Sequence, residues 1–118
     1  MKQPSQGGRL VAQSTSLFPA GQVLEISFAP FTPRITIHSE RELTVEIIAG
    51  DNFGFSDTVE YEAVAVRDGL IILSWQEHNG SAIVHALDLS SCNAYTVVAP
   101  GAGGFMRLTG RIDVKSGS

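Results

Sequence analysis

Apolar and polar positions alternate along most of this chain with a period of two. In residues 23–29 (VLEISFA), Leu24, Ile26 and Phe28 fall on one side. In 34–39 (RITIHS), Ile35 and Ile37 face one way and Arg34, Thr36 and His38 the other. Residues 43–48 (LTVEII) keep Leu43, Val45 and Ile47 in phase. Successive side chains of a strand point to opposite faces, so each run predicts a half-buried strand. Three further strands are expected at 59–66, 70–77 and 81–88, punctuated by Asp68-Gly69 and Asn79-Gly80. Those dipeptides between apolar runs are strong hairpin signals, because a tight turn needs positive φ. Residues 93–99 and 105–114 complete the series on either side of the turn 100–104 (PGAGG). Residues 10–18 fit either a short strand or a helical turn closing one end. Pro30 and Pro33 are expected to bracket a turn, since neither can donate to a ladder.

No long segment carries a 3.6-residue apolar period, so the chain reads as all-β. About eight strands with turn signals every 8–12 residues are the mark of a sandwich or barrel. Short hairpin connections favour an up-and-down meander, and closing it removes exposed edges. The expected fold is a single-domain, lipocalin-like antiparallel barrel over residues 10–114, with loose tails at 1–9 and 115–118. Such an interior is either filled by side chains or holds one small ligand.

Composition narrows the function classes. The chain has 118 residues, 43% apolar and 17% charged, which suits one globular domain and not a disordered chain. A net charge of −4 gives no electrostatic help with phosphate backbones, so no nucleic-acid partner is expected. No Lys/Arg run marks a membrane surface, no stretch approaches the roughly 18 apolar residues of a span, and the start MKQPSQGGRL lacks a signal-peptide apolar region. The single cysteine, Cys92, allows no internal disulfide. Together these give the expectation of a cytoplasmic protein. A homodimer is compatible with every reading below.

The candidate chemistry lies in the central meander. Leu73, Trp75 and Glu77 share one strand face, and Ile83, His85 and Leu87 share one face of the next. A three-residue loop at 78–80 pairs Leu73 with His85 and Trp75 with Ile83, all pointing one way. A two-residue Asn79-Gly80 turn pairs Ser74 with His85 and puts His85 on the face opposite Trp75. In the first case Glu77 and His85 form a candidate acid–base pair; in the other the pair is lost. Tyr61 either aims its hydroxyl at a ligand or bonds it locally. Phe53 and Phe55 sit two apart in the Gly-rich loop 49–57, as a rim over a cavity or a plug. Arg107 is an anchor for a ligand carboxylate if Phe105 points inward, and exposed if Met106 and Leu108 define the inner face.

Other chemistries find no support. The three histidines are scattered with no HxH, HxxxH or CxxC spacing, so neither a metal nor a cofactor is expected. The run 100–104 lacks the Lys-Ser/Thr and the helix of a phosphate loop. No G-x-S-x-G elbow is present.

One resemblance adds to this. Tyr61-Glu62-Ala63-Val64, Gly69, Ser74-Trp75-Gln76-Glu77, Gly80, Val84-His85, Asp88 and a late Gly104-Phe105-x-x-Leu108-x-Gly110 resemble the MoaF-like family of small calycin-type barrels. The pattern covers roughly the second half of the chain; the first half matches in strand rhythm alone. The phenolic acid decarboxylases are a more distant likeness. The resemblance implies a lipocalin-like barrel and no settled activity. The expected function is therefore a module that takes one small, partly apolar molecule in its interior, with Tyr61, Leu73, Trp75, Phe53 and Phe55 as walls and Glu77, His85 or Arg107 as polar anchors. The alternatives are a cofactor-independent decarboxylase, isomerase or cyclase using the same pocket, and a filled barrel that serves association.

Overall fold

A computed structural model describes residues 17–115. It contains eight strands: β1 (Val23–Ser27), β2 (Phe31–Ile37), β3 (Glu42–Gly50), β4 (Ser56–Arg67), β5 (Leu70–Gln76), β6 (Ala82–Asp88), β7 (Asn93–Ala99) and β8 (Met106–Lys115). They follow one another around a closed barrel, each antiparallel to the next, with β8 returning to β1. The up-and-down barrel is thus the observed fold. The ambiguous segment 10–18 lies outside the described residues except for Leu17 and Phe18. Lys115 extends β8 into what was expected to be a tail.

Alternation places the core. Leu24, Ile26, Ile35, Ile37, Leu43, Leu73 and Leu87 are fully buried, all on the inward phase of their strands. The outward phase of β1, β2 and β8 carries charge: Arg34 Nε bonds Glu25 at 3.0 Å and Lys115 Nζ approaches Asp113 at 3.0 Å. Such exposed pairs add little stability but keep the outer face polar.

One turn differs from expectation, and another is decided between its two expected forms. Pro33 does not bracket a turn; it lies inside β2, which already begins at Phe31. The ladder to β3 shifts register between Thr32 and Pro33, so the residue without an N–H sits at a bulge where no donor is required. Between β5 and β6, Trp75 pairs with Ile83 and Leu73 with His85. The Glu77 N–H donates to Ser81 O at 2.8 Å, leaving a three-residue loop, 78–80, in which Gly80 takes φ +91°. Glycine carries that positive φ without steric cost, and the loop length fixes the register. Trp75, Glu77, Ile83 and His85 consequently all point inward.

The connections alternate between two ends. The β1–β2, β3–β4, β5–β6 and β7–β8 turns gather at one end. The β2–β3, β4–β5 and β6–β7 turns gather at the other, with the segment that brings buried Phe18 into the core.

Candidate functional site

The first end of the barrel is hollow. A cavity of about 450 Å³ opens there, bounded by residues of all four hairpin turns and by the inward side chains beneath them. Its mouth is formed by Phe31, Asn52, Phe53, Phe55, Asn79 and Pro100, and its wall by Phe28, Ile47, Trp75, Ile83 and Val98. Glu77, Ser81, His85 and Thr96 are the polar wall groups. The turns are tied together: the Gly101 N–H donates to Ser81 Oγ at 3.2 Å, and the Ser81 N–H to Asn79 Oδ1 at 2.9 Å.

His85 sits at the base of this wall, 2% exposed. Its Nδ1 shares a 2.7 Å hydrogen bond with Thr96 Oγ1 on β7, and its other ring nitrogen has no hydrogen-bond partner among the described residues. The ring lies nearly parallel to Phe28, 7° apart with centroids at 6.2 Å, and packs at 5.2 Å against the Trp75 indole. Burial without a counter-ion lowers its pKa from 6.5 to about 3, so the imidazole is neutral at physiological pH. Phe28 reaches this position because β8 has no side chain at Gly110. A Cβ there would fall 2.7 Å from the Phe28 ring and from Ser27 O.

Glu77 lies two residues beyond Trp75 on the same face, and one of its carboxylate oxygens accepts the indole N–H at 3.1 Å. The second oxygen has no hydrogen-bond partner among the described residues. Burial pushes the Glu77 carboxyl above its usual range; the indole bond opposes this, and the charge of Asp57 adds to it. Asp57, on the neighbouring strand β4, accepts the His78 backbone N–H and meets His78 Nδ1, both at 2.8 Å. Its own burial raises its pKa, but the bonds and charge of His78 outweigh that and hold it below the usual carboxylate range.

The structure brings together Phe53, Phe55, Trp75, Glu77 and His85 from the expected set. Glu77 and His85 share the cavity wall without a direct hydrogen bond; the Trp75 indole lies between them. Leu73 is fully buried in the packed core and does not reach the cavity. Tyr61 buries its ring and donates its hydroxyl to Ser39 O at 2.7 Å, pinning the β2–β3 turn. Burial raises its pKa, and the charge of Glu40 adds to this. Arg107 is on the outside: Met106 and Leu108 follow the inner phase of β8, and the guanidinium lies over the Phe105 ring, 4.7 Å from its centroid. Arg107 is therefore corrected from a cavity anchor to a surface residue.

Phe28, Thr96 and Ser81 are wall residues that the sequence reading did not single out. Thr96 lies in phase with Ala94 and Val98, and a polar residue on an inward apolar phase is the signal that finds it. Among the described residues no three His, Cys, Asp or Glu side chains are grouped as a metal site. No helix there is long and apolar enough to cross a membrane.

The MoaF-like family model matches residues 20–113. This chain belongs to the MoaF-like family. The match spans both halves of the barrel, beyond the second-half pattern on which the resemblance first rested. None of the curated proteins matches the chain. Among solved structures, the barrel is similar to a crystal structure named as a "putative beta-lactamase" from Burkholderia vietnamiensis. The TM-score is 0.79 at 23% identity, covering 85% of this chain and 100% of that one. At that identity the likeness shows a shared barrel fold alone.

Proposed function

We propose that this MoaF-like barrel binds one small, partly apolar molecule in the hollow end of its interior. The observation that carries the reading is the cavity of about 450 Å³, with aromatic and aliphatic walls and two polar groups, Glu77 and His85, each with one atom that has no hydrogen-bond partner among the described residues. Small-molecule sites are typically roughly 300–1,000 Å³, mostly apolar, with a few placed polar groups. A cavity of this kind argues against the filled barrel.

Trp75 is the only tryptophan and contacts the cavity, so its fluorescence reports the site directly. Titration with compact aryl and alkyl compounds is expected to give a saturable change with at least one of them. Val98→Phe, which fills the cavity, is expected to remove it. No change across the panel, or a change that survives Val98→Phe, sinks the reading.

A second reading, acid–base catalysis, is favoured by one observation: Glu77 and His85 fall on the same inner face. Turnover of a bound compound that Glu77→Gln and His85→Gln each abolish supports it; binding without turnover leaves the module reading. The hydrolytic name of the structural neighbour gains no support from the wall serine. Ser81 Oγ accepts the Gly101 N–H, while His85 is bonded to Thr96 instead.

A further inference from the structure

Among the described residues the one carboxylate that lines the cavity is Glu77, at the mouth, and no Lys or Arg side chain lines it. Asp57 on β4 acts on Glu77 through its charge but does not line the cavity and is bonded to His78. Arg34 is engaged outside with Glu25 and Glu46, and Arg107 lies outside over Phe105. His85, the one basic group deep in the wall, is held neutral by burial. Five aromatic side chains line the same cavity: Phe28, Phe31, Phe53, Phe55 and Trp75, the last bonded to Glu77. The negative faces of such rings attract a cation, most strongly from tryptophan.

We propose that the ligand of this cavity is a small organic cation, an ammonium on an apolar or aryl body, seated between the Glu77 carboxylate and the faces of Trp75 and the mouth phenylalanines. The inference rests on the binding reading above and names the class of ligand. Glu77 has one oxygen engaged by the indole N–H, which fixes its orientation, and a second oxygen available to accept from an ammonium. Burial first, and the charge of Asp57 after it, raise the Glu77 carboxyl against the pull of the indole bond. An ammonium beside Glu77 favours its carboxylate, and a ligand carboxylate adds to the repulsion. The neutral His85 ring offers its free nitrogen to a polar group on the far end of the ligand.

Three ligands of one shape test this: 2-phenylethylamine, 2-phenylethanol and phenylacetate. Each is titrated at pH 7 with Trp75 fluorescence and calorimetry. The amine is expected to bind about tenfold or more tighter than the alcohol, as one cation–π contact with an ion pair implies. The carboxylate is expected to bind most weakly. Glu77→Gln keeps an acceptor for the indole, and it is expected to erase the amine's advantage over the alcohol. Rising salt is expected to weaken the amine and not the alcohol. Equal binding of amine and alcohol, tighter binding of the carboxylate, or an amine preference that survives Glu77→Gln overturns the cation assignment while leaving the binding reading intact. If none of the three binds to folded protein, and the wider panel also fails, the binding reading falls and the cation assignment falls with it.

Discussion

At the end of the barrel where β2 turns to β3, β4 to β5 and β6 to β7, the interior is solid. Leu24, Ile37, Leu43 and Leu87 fill it from the last inward positions of their strands, and Phe18 packs in from the segment before β1. At the other end Phe28, Ile47, Trp75, Ile83 and Val98 take the inward positions, and these line a space instead of filling it. The difference is one of side-chain placement on a common backbone. Branched aliphatics crossing a narrow barrel meet in the middle. Aromatic rings at the open end pack against their neighbours along the wall, as Phe28 does, stacked on His85 and tilted against Phe31, and leave the axis free. One end supplies stability and the other a site. The polar groups of the interior, among them a buried neutral histidine and the Glu77 carboxylate, are found at the hollow end.

The sharpest way to break this comparison is to truncate both ends and compare. Leu43→Ala opens a void in the solid end and is expected to cost about 2–5 kcal/mol in chemical denaturation. Val98→Ala enlarges an existing space at the open end, where the side chain is only half buried, and is expected to cost about 1 kcal/mol or less. Equal costs would mean that the open end is packed as tightly as the other.

The next effect is one of pH. His85 is bonded and neutral in the fold, with its pKa lowered to about 3 by burial, whereas in the unfolded chain it titrates near 6.5. Between those values the unfolded state binds the extra proton. The His85 contribution is therefore fully present above about 6.5 and is lost progressively as pH falls toward about 3. The slope approaches about 1.4 kcal/mol per pH unit. Asp57, with its lowered carboxyl, acts in the same direction at the acid end, and Glu77, with its raised carboxyl, acts in the opposite one. Denaturation midpoints of the parent and His85→Gln, measured from pH 4 to 7, are expected to differ in slope, the variant being flatter. Parallel profiles would mean that the imidazole is solvated or charged in the fold.

Most of the solid end was legible in sequence, because two-residue alternation in β1, β2 and β3 places Leu24, Ile26, Ile35, Ile37, Leu43 and Val45 on one face without any knowledge of pairing. The open end was legible only in part. Whether His85 faces Trp75 depended on one loop residue, and Asn79-Gly80 is compatible with either loop length; the bond from the Glu77 N–H to Ser81 O decides it. Arg107 depended on the phase of β8, where Phe105, Met106, Arg107 and Leu108 offer large side chains on both faces. Of the two readings of Tyr61 the structure bears the bonded one, to Ser39 O, a partner 22 residues away that no local pattern announces. Phe28 was recognised as inward, but its place on the His85 ring follows from Gly110 on β8, a contact between the two ends of the sequence.

The smallest expected effect separates the two phenylalanines of the β3–β4 loop. Phe53 is 74% exposed at the mouth, and Phe55 is half-buried and packed against the core. Removing a ring that buries little changes stability by less than about 0.5 kcal/mol, so Phe53→Ala is expected to leave the denaturation midpoint unmoved. Its effect belongs to the ligand: a ring at the rim covers what is bound beneath it, and its loss is expected to raise the dissociation rate several-fold with little change in association. Phe55→Ala is expected to lower the midpoint measurably as well, because that ring also packs against the core. Stopped-flow Trp75 fluorescence and denaturation on the two variants resolve this. If Phe53→Ala destabilises the fold as much as Phe55→Ala does, the loop is a plug, and the division between a packed end and a binding end does not extend to the mouth.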